Sequence, residues 1–185
     1  AKFNPVDFNA GAIVSLAKKA GMKYLVITAK HHEGFSMWDT EVEGFKAISK
    51  NCDYDLPGFT KFTKRDILKE LKDSCDTQGI KFCLYYSILD WCHGSQKVTM
   101  DYFSEMISLQ ARTAYIRDMK LQLKELIIKY KPAVLWFDGD WLEYSGSPTL
   151  LKWWTKNDGI DLYNYIIQLD PNIIVNKRVS RGFGI

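Results

Sequence analysis

The chain has 185 residues, 46% of them hydrophobic, and a formal net charge of +3. This length is enough for one domain with a substantial core, and no apolar run is long enough to cross a bilayer. The charge is spread along the chain without a dense Lys/Arg cluster, so we expect neither a nucleic-acid partner nor a membrane span.

The first elements along the chain are a helix and a strand. Asp7 or Asn9 can cap the helix, and Gly21 ends it. Its predicted apolar face consists of Ile13, Leu16, Ala17 and Ala20. The run KYLVITA over 23–29 predicts a buried strand, which leads into KHHEGF over 30–35. The connection that follows is about thirty residues long, and connections of that length in compact domains are often functional.

The rest of the chain continues this alternation. The hydrophobic spacing and the turn residues predict a helix over 66–78, a strand over 80–87, an amphipathic helical stretch over 102–130, a strand buried on both faces over 133–138, a helix over about 159–169 and a strand over 172–176. Strands that alternate with helices predict right-handed crossovers and a parallel sheet.

Two α/β architectures fit this order of elements. A doubly wound open sheet would suit the length, but no strand leads into a Gly-rich phosphate turn, so nucleotide binding has little support. The other is part of a (β/α)8 TIM-like barrel. A complete barrel needs roughly 250 residues, so this chain would form about half of one.

The four cysteines form no CxxC pair and no zinc-like spacing; they are Cys52, Cys75, Cys83 and Cys92. Cys75 and Cys83 have apolar neighbours and are expected to be buried thiols. The cysteines therefore leave the compartment open. The chain starts without a signal peptide and stops just after a strand-like run, so we expect both ends to be internal to a longer protein.

Asp138 stands where a short apolar strand ends, and Gly139 follows it. In parallel α/β sheets and barrels this edge carries the chemistry, so Asp138 is a candidate catalytic carboxylate. An Asp-Gly pair also starts turns or caps the next segment, and this stretch alone slightly favours that plainer explanation.

Polar groups follow all four predicted strands: the pair His31-His32, the segment 85–91, Asp138 and the segment 176–178. In a barrel these ends face one pocket. A metal site needs about three ligands, and adjacent strand residues point to opposite faces, so metal binding ranks below recognition of a polyol. Imidazoles, tyrosines and a flat indole suit a sugar, whose hydroxyls both donate and accept hydrogen bonds.

Several segments, in the right order, resemble the retaining α-L-fucosidases of glycoside hydrolase family 29. They cover essentially the whole chain and comprise FNP with DF over 3–8, AKKAGMKY over 17–24, TAKHHEGF with WD over 28–39, LYYS with DW over 84–91, LWFDG over 135–139 and IVNKR over 174–178. HHEGF and LWFDG are fairly specific, whereas YYS and VNKR alone would be weak.

The resemblance implies a role for each matching residue. Asp138 would be the nucleophile of a retaining exo-glycosidase that releases terminal α-L-fucose. The other implied residues would contact the sugar or line its pocket; they are His31, His32, Trp38, one tyrosine of the third barrel strand (Tyr86 by preference) and Arg178. Asp140, the rival of Asp138, is given the role of a turn or rim acid. No metal and no cofactor is implied.

A retaining enzyme needs one ionised carboxylate near the anomeric carbon and a second carboxyl group roughly 5 Å away. The family's acid/base glutamate lies after its strand VNKR, and neither Glu33 nor Glu143 occupies that motif. The family's first-strand His-Trp pair is also missing. We therefore expect residues 1–185 to be one partial catalytic barrel domain, inactive alone, with the remaining barrel and any C-terminal β-sandwich outside this chain.

The implied partner is a fucosylated oligosaccharide or glycoconjugate, and the implied location is secreted, periplasmic or lysosomal. An oligomer of the full-length protein is compatible with the sequence. Two other functions stay open at this point: a non-catalytic sugar-binding barrel and a His/Asp metal-dependent hydrolase.

Overall fold

The computed structural model describes residues 7–42, 65–93, 96–98, 104–106, 108–140 and 154–180. In chain order its elements are α1 (Ala10–Lys19), β1 (Tyr24–Lys30), α2 (Ile67–Gln78), β2 (Lys81–Ser87), β3 (Gln96–Val98), β4 (Ser104–Met106), α3 (Leu109–Tyr130), β5 (Val134–Asp138), α4 (Lys156–Leu169) and β6 (Ile174–Val175). The part of the predicted long connection over 43–64 lies outside the described residues.

The main sheet has four parallel strands in the order β1-β2-β5-β6. Within this sheet, each strand therefore lies beside the strand of the same sheet that follows it in the chain, and each crossover contains a helix. A doubly wound sheet reverses its strand order at a switch point, whereas a barrel wall does not. This order confirms the predicted barrel-type arrangement. In the part of the chain that is described, no helix is both long and apolar enough to span a membrane.

The helix α1 begins where predicted but buries a different face. Asn9 is its N-cap, because its side chain accepts a hydrogen bond of 2.9 Å from the backbone N–H of Ala12. Its buried residues are Ala10, Val14 and Ala17, while Ile13 and Leu16 are exposed. The predicted face is therefore confirmed only at Ala17 and was wrong for Ile13, Leu16 and Ala20. The helix packs on α2, where the side chains of Ser74 and Gln78 donate hydrogen bonds to the carbonyls of Ala10 and Gly11.

The helix α3 is shorter than the predicted stretch 102–130. It begins at Leu109, where Ser108 accepts a hydrogen bond of 3.0 Å from the N–H of Ala111. Residues Ser104–Met106 instead form β4, which pairs antiparallel with β3. In contrast, α4 begins earlier than predicted, because Thr155 and Asp158 form a capping box just before and within its first turn.

The two faces of the main sheet differ in burial. Leu84, Leu135 and Phe137 belong to the core beneath the helices. On β5 the alternate residue Trp136 is 45% exposed, so the prediction that this strand is buried on both faces was wrong for the described chain. In a closed barrel the inward side chains pack against those of the other strands.

The cysteines follow the expectation in part. Cys75 and Cys83 are free and buried, as predicted. Burial raises the pKa of Cys83 to about 11, so its thiol is protonated and unreactive at neutral pH. Cys92 is disulfide-bonded, which its spacing did not indicate. Cys52 lies outside the described residues.

Candidate active site

The polar strand ends meet at the C-terminal edge of the sheet. Ser87, the last residue of β2, is paired with Asp138, the last residue of β5. Lys30, the last residue of β1, is paired with Tyr86 after a shift in register. Because these strands are parallel and adjacent, the residues at and just after their ends converge on one small region.

Asp138 is turned into this region. Its side chain is only 16% exposed, and its Oδ2 accepts a hydrogen bond of 3.0 Å from the hydroxyl of Tyr85. Its Oδ1 forms a hydrogen-bonded ion pair with the guanidinium of Arg178, and this contact raises the pKa of the arginine. Burial, followed by the charge of Asp138, raises the pKa of Tyr85, which keeps its hydroxyl protonated as a donor. Both carboxylate oxygens thus have a positioned donor.

Asn176 holds β6 against the end of β5. Its side-chain oxygen accepts a hydrogen bond of 2.8 Å from the N–H of Phe137, and its amide nitrogen donates one of 3.0 Å to the carbonyl of the same residue. The side-chain amide thus makes the two hydrogen bonds with Phe137 that the backbone of a neighbouring strand would otherwise make. This brings Arg178, two residues later, next to Asp138.

His32 is buried beside Asp138. Its Nε2 lies 4.0 Å from Asp138 Oδ2, and its Nδ1 lies 2.6 Å from the hydroxyl oxygen of Ser87. Burial first, and then the neighbouring His31, lower the pKa of His32 to about 4, against a smaller opposing effect of Asp138. The imidazole is therefore neutral at neutral pH and acts as a hydrogen-bonding group.

His31 lies at the more open side of the same region. Its ring stacks on Tyr85 with centroids 5.4 Å apart, and it lies 4.1 Å from the ring of His32. Its Nδ1 is 3.1 Å from Glu33 Oε2. Both histidines lie after the end of β1, so the rule that adjacent strand residues point to opposite faces of the sheet does not apply to them. Gly34, with φ of +83°, closes the turn after them.

A fully buried ion pair involves the residue directly before the histidines, Lys30, and the sequence analysis did not identify it. Lys30 Nζ lies 3.4 Å from Asp90 Oδ2 and donates a hydrogen bond of 3.0 Å to the carbonyl of Leu89. Asp90 Oδ1 also accepts hydrogen bonds from the N–H groups of Cys92, at 3.1 Å, and His93, at 2.9 Å. The pair therefore ties the end of β1 to the loop after β2. The sequence signal that could have predicted this ion pair is a lysine at the end of one strand and an aspartate just after the end of the next.

Two of the predicted site residues lie elsewhere. Tyr86 is fully buried on the other face of β2, and its hydroxyl donates a hydrogen bond of 2.7 Å to Gln122. The preference for Tyr86 is corrected, because alternation along β2 places Tyr85 beside Asp138 instead. Trp38 is 1% exposed, and its indole N–H donates a hydrogen bond of 3.0 Å to Glu125 of α3. It therefore does not line the region around Asp138.

Trp136 is an indole that the sequence analysis overlooked. It precedes Asp138 by two residues on β5, so both side chains project from the same face of the strand. It is paired with Tyr85 of the neighbouring strand β2 and is 45% exposed. The spacing of two residues before the candidate nucleophile was the signal that could have indicated it.

The remaining acids have distinct positions. Asp140 is 7% exposed, so it is not a rim acid, and its charge contributes to the raised pKa of Arg178. Glu143 lies outside the described residues. The described residues contain no group of three or more His, Cys, Asp or Glu side chains that could hold a metal ion. What they bring together is a set of hydrogen-bonding groups around one carboxylate, which suits a neutral polyhydroxylated ligand.

Comparison with known proteins points to one family. A family model described as Alpha-L-fucosidase matches residues 1–184. The plasma α-L-fucosidase of Homo sapiens is 33% identical over 183 residues, which are 97% of this chain and 34% of that protein. An α-L-fucosidase of Dictyostelium discoideum is 30% identical over 183 residues, which are 92% of this chain and 33% of that protein.

Solved structures show the same relationship. A Bacteroides thetaiotaomicron GH29 α-L-fucosidase, trapped as a covalent intermediate with 2-fluoro-fucosyl fluoride, has a TM-score of 0.74 at 27% identity. The alignment covers 97% of this chain and 36% of that one. The chain therefore spans about a third of the length of these relatives, and over that third it belongs to the α-L-fucosidase family.

Proposed function

We propose that these residues form part of the catalytic barrel of a retaining α-L-fucosidase, in which Asp138 is the nucleophile. The observation that carries this proposal is the environment of the Asp138 carboxylate. It lies at a strand end, receives hydrogen bonds from Tyr85 and Arg178, and faces His32. Two positioned donors, one of them a guanidinium, restrict the rotation of the carboxylate, as attack on an anomeric carbon requires.

The reaction would proceed in two displacements. In the first, an Asp138 oxygen bonds to the anomeric carbon while the bond to the leaving oxygen breaks, and a second carboxylic acid protonates that oxygen. In the second, that carboxylate removes a proton from water, which displaces Asp138 and releases fucose. We place the second carboxyl group outside residues 1–185, because Glu33 is engaged with His31 and does not lie at the corresponding family motif.

His31, His32 and Trp136 would form the walls of the sugar site. The two imidazoles can hydrogen-bond ring hydroxyls, and the exposed indole of Trp136 offers a flat apolar surface to a C–H face or methyl group. The substrate class follows: terminal α-L-fucose on an oligosaccharide or glycoconjugate. The disulfide at Cys92 supports the expectation of an oxidising compartment.

The unfilled inner face of the sheet supports the proposal that 1–185 is one partial barrel domain. Tyr24 and Ile174 are each about half exposed, at 56% and 47%. Exposed apolar side chains on one face of a sheet are unfavourable in water, and the other strands of a barrel would cover them.

The test uses the full-length protein and 2-fluoro-fucosyl fluoride, the reagent that trapped the Bacteroides relative. We expect time-dependent inactivation, one added fluorofucosyl group by mass spectrometry, and its location on Asp138 after proteolysis. Asp138→Gly should abolish both labelling and hydrolysis of an aryl α-L-fucoside, whereas Asp140→Asn should keep the labelling. A label on Asp140, or hydrolysis by the Asp138→Gly variant at the wild-type rate, would overturn the assignment.

A further inference from the structure

The hydroxyl of Ser87 lies between His32 and a backbone carbonyl. Its oxygen is 2.6 Å from His32 Nδ1 and 2.9 Å from the carbonyl oxygen of Leu89. Ser87 and Leu89 are fully buried, and His32 is 6% exposed. Each of these short contacts must therefore contain a hydrogen atom, because two bare acceptors at such a distance would repel each other in an environment without water.

Counting hydrogens assigns the tautomer of His32. The carbonyl of Leu89 has no hydrogen to give, so the single hydroxyl hydrogen of Ser87 points towards it. The contact between Ser87 and His32 must then use the hydrogen on Nδ1 of the imidazole. A neutral imidazole has only one N–H, so Nε2 is left with a lone pair. The lowered pKa of His32, about 4, agrees with a neutral ring.

We propose that Ser87 is a positioning residue that fixes His32 in the Nδ1–H tautomer, so that Nε2 accepts a hydrogen bond from a fucose hydroxyl. This inference rests on the proposed function, since it names the direction of one hydrogen bond in that sugar site. In this tautomer, Nε2 of His32 binds a ligand hydroxyl that donates a hydrogen bond and disfavours a ligand group that can only accept one. The nearby anionic Asp138 Oδ2, 4.0 Å from Nε2, favours a donating hydroxyl at the same place.

Lys30 stabilises the position of the Leu89 carbonyl, which accepts the hydrogen bond of Ser87. Its buried ammonium donates to the same carbonyl of Leu89, at 3.0 Å, and is itself paired with Asp90. The carbonyl is therefore held in position by a side chain that is fully buried. With the carbonyl fixed, the Ser87 hydroxyl has one favourable orientation, and the tautomer of His32 follows from it.

The first test reads the tautomer without any substrate. Long-range ¹H–¹⁵N correlation spectra of the full-length enzyme labelled with ¹⁵N-histidine distinguish the two neutral tautomers, and the His32→Gln variant identifies the signal. We expect the Nδ1–H pattern in the wild type and a mixture of tautomers in Ser87→Ala. Ser74→Ala removes a hydroxyl between α1 and α2, far from the strand ends, and should leave the pattern unchanged. An Nε2–H pattern in the wild type would overturn the proposal, even if Ser87→Ala fails to fold.

The second test measures competitive inhibition by methyl α-L-fucosides in which each hydroxyl in turn is replaced by hydrogen or by fluorine. At the position that faces His32, we expect both replacements to weaken binding by about tenfold, because fluorine cannot donate a hydrogen bond. In Ser87→Ala the fluoro analogue should bind more tightly than the deoxy analogue there. If fluorine is tolerated at every position of the wild type, His32 is a donor and the proposal is wrong. A failure of the wild type to bind any fucoside would instead contradict the proposed function and leave the spectroscopic result intact.

Discussion

The hydroxyl of Tyr85 lies 3.0 Å from Oδ2 of Asp138, on the neighbouring strand of the sheet. Tyr85 pairs with Trp136 in the ladder, so its ring extends along the strand direction to reach the carboxylate two residues further on. The next residue, Tyr86, points to the opposite face and bonds to Gln122. Two adjacent tyrosines therefore belong to different parts of the molecule, one to the site and one to the core.

We predict that the two tyrosines respond differently to loss of the hydroxyl. Tyr85→Phe removes one of the two donors to Asp138 and should lower kcat/KM for an aryl α-L-fucoside by about tenfold or more, with little change in stability. Tyr86→Phe is the matched control. It leaves the buried Gln122 with one bond fewer, so it should lower the free energy of unfolding by about 1–3 kcal/mol and leave kcat/KM nearly unchanged. The reverse pattern would restore Tyr86 as the site residue.

The stability of the protein should depend on pH through His32. Its pKa is about 4 in the folded state and 6.5 in the unfolded state, so the unfolded chain binds more protons between these values. Stability from this residue is therefore fully present above pH 6.5 and declines as the pH falls towards 4. We expect the midpoint of urea unfolding to drop over this range, and to drop less in His32→Gln. Equal slopes in the two proteins would show that His32 is not buried in its neutral form.

The Lys30–Asp90 pair gives a prediction about folding. Lys30→Met leaves a fully buried carboxylate without its cation, which should destabilise the protein by about 3–5 kcal/mol. Replacing both residues in the double variant Lys30→Met, Asp90→Asn should recover part of this loss, because no uncompensated charge remains. Urea unfolding of the full-length protein measures both values. The single variant Asp90→Asn completes the comparison, and a double variant as unstable as the sum of the two single variants would mean that the two side chains do not interact.

Substitution of Trp38 tests whether this side chain contacts the sugar or only stabilises the fold. Its indole N–H, the hydroxyl of Thr40 and the N–H of Glu41 all donate to the carboxylate of Glu125, at 2.7–3.0 Å. Trp38→Phe should therefore lower stability by about 1–2 kcal/mol and leave KM for the aryl fucoside unchanged. Trp136→Ala, on the exposed inner face, should raise KM instead. A raised KM for Trp38→Phe with unchanged stability would return Trp38 to the sugar pocket.

The sequence alone was sufficient for the class of fold and for the family. Alternating apolar runs and caps follow from local backbone preferences, so the helices and strands could be placed to within a few residues, except where β3 and β4 form an antiparallel pair. The motif around Asp138 and the two histidines could be recognised because their spacing is a local property of the chain. Cys75 and Cys83 were correctly expected to be buried because their neighbours are apolar.

Only the tertiary structure decided which way each side chain faces and what lies behind it. A shift of one residue along a strand moves a side chain to the other face, so Tyr85 and Tyr86 could not be distinguished by composition. The supports of the site, Lys30 with Asp90 and Ser87 with His32, join residues 60 and 55 positions apart in the chain. Such contacts depend on the register of neighbouring strands, which no local pattern contains. For that physical reason the sequence could indicate the acid and the imidazoles, while the hydrogen bonds that orient them had to come from the fold.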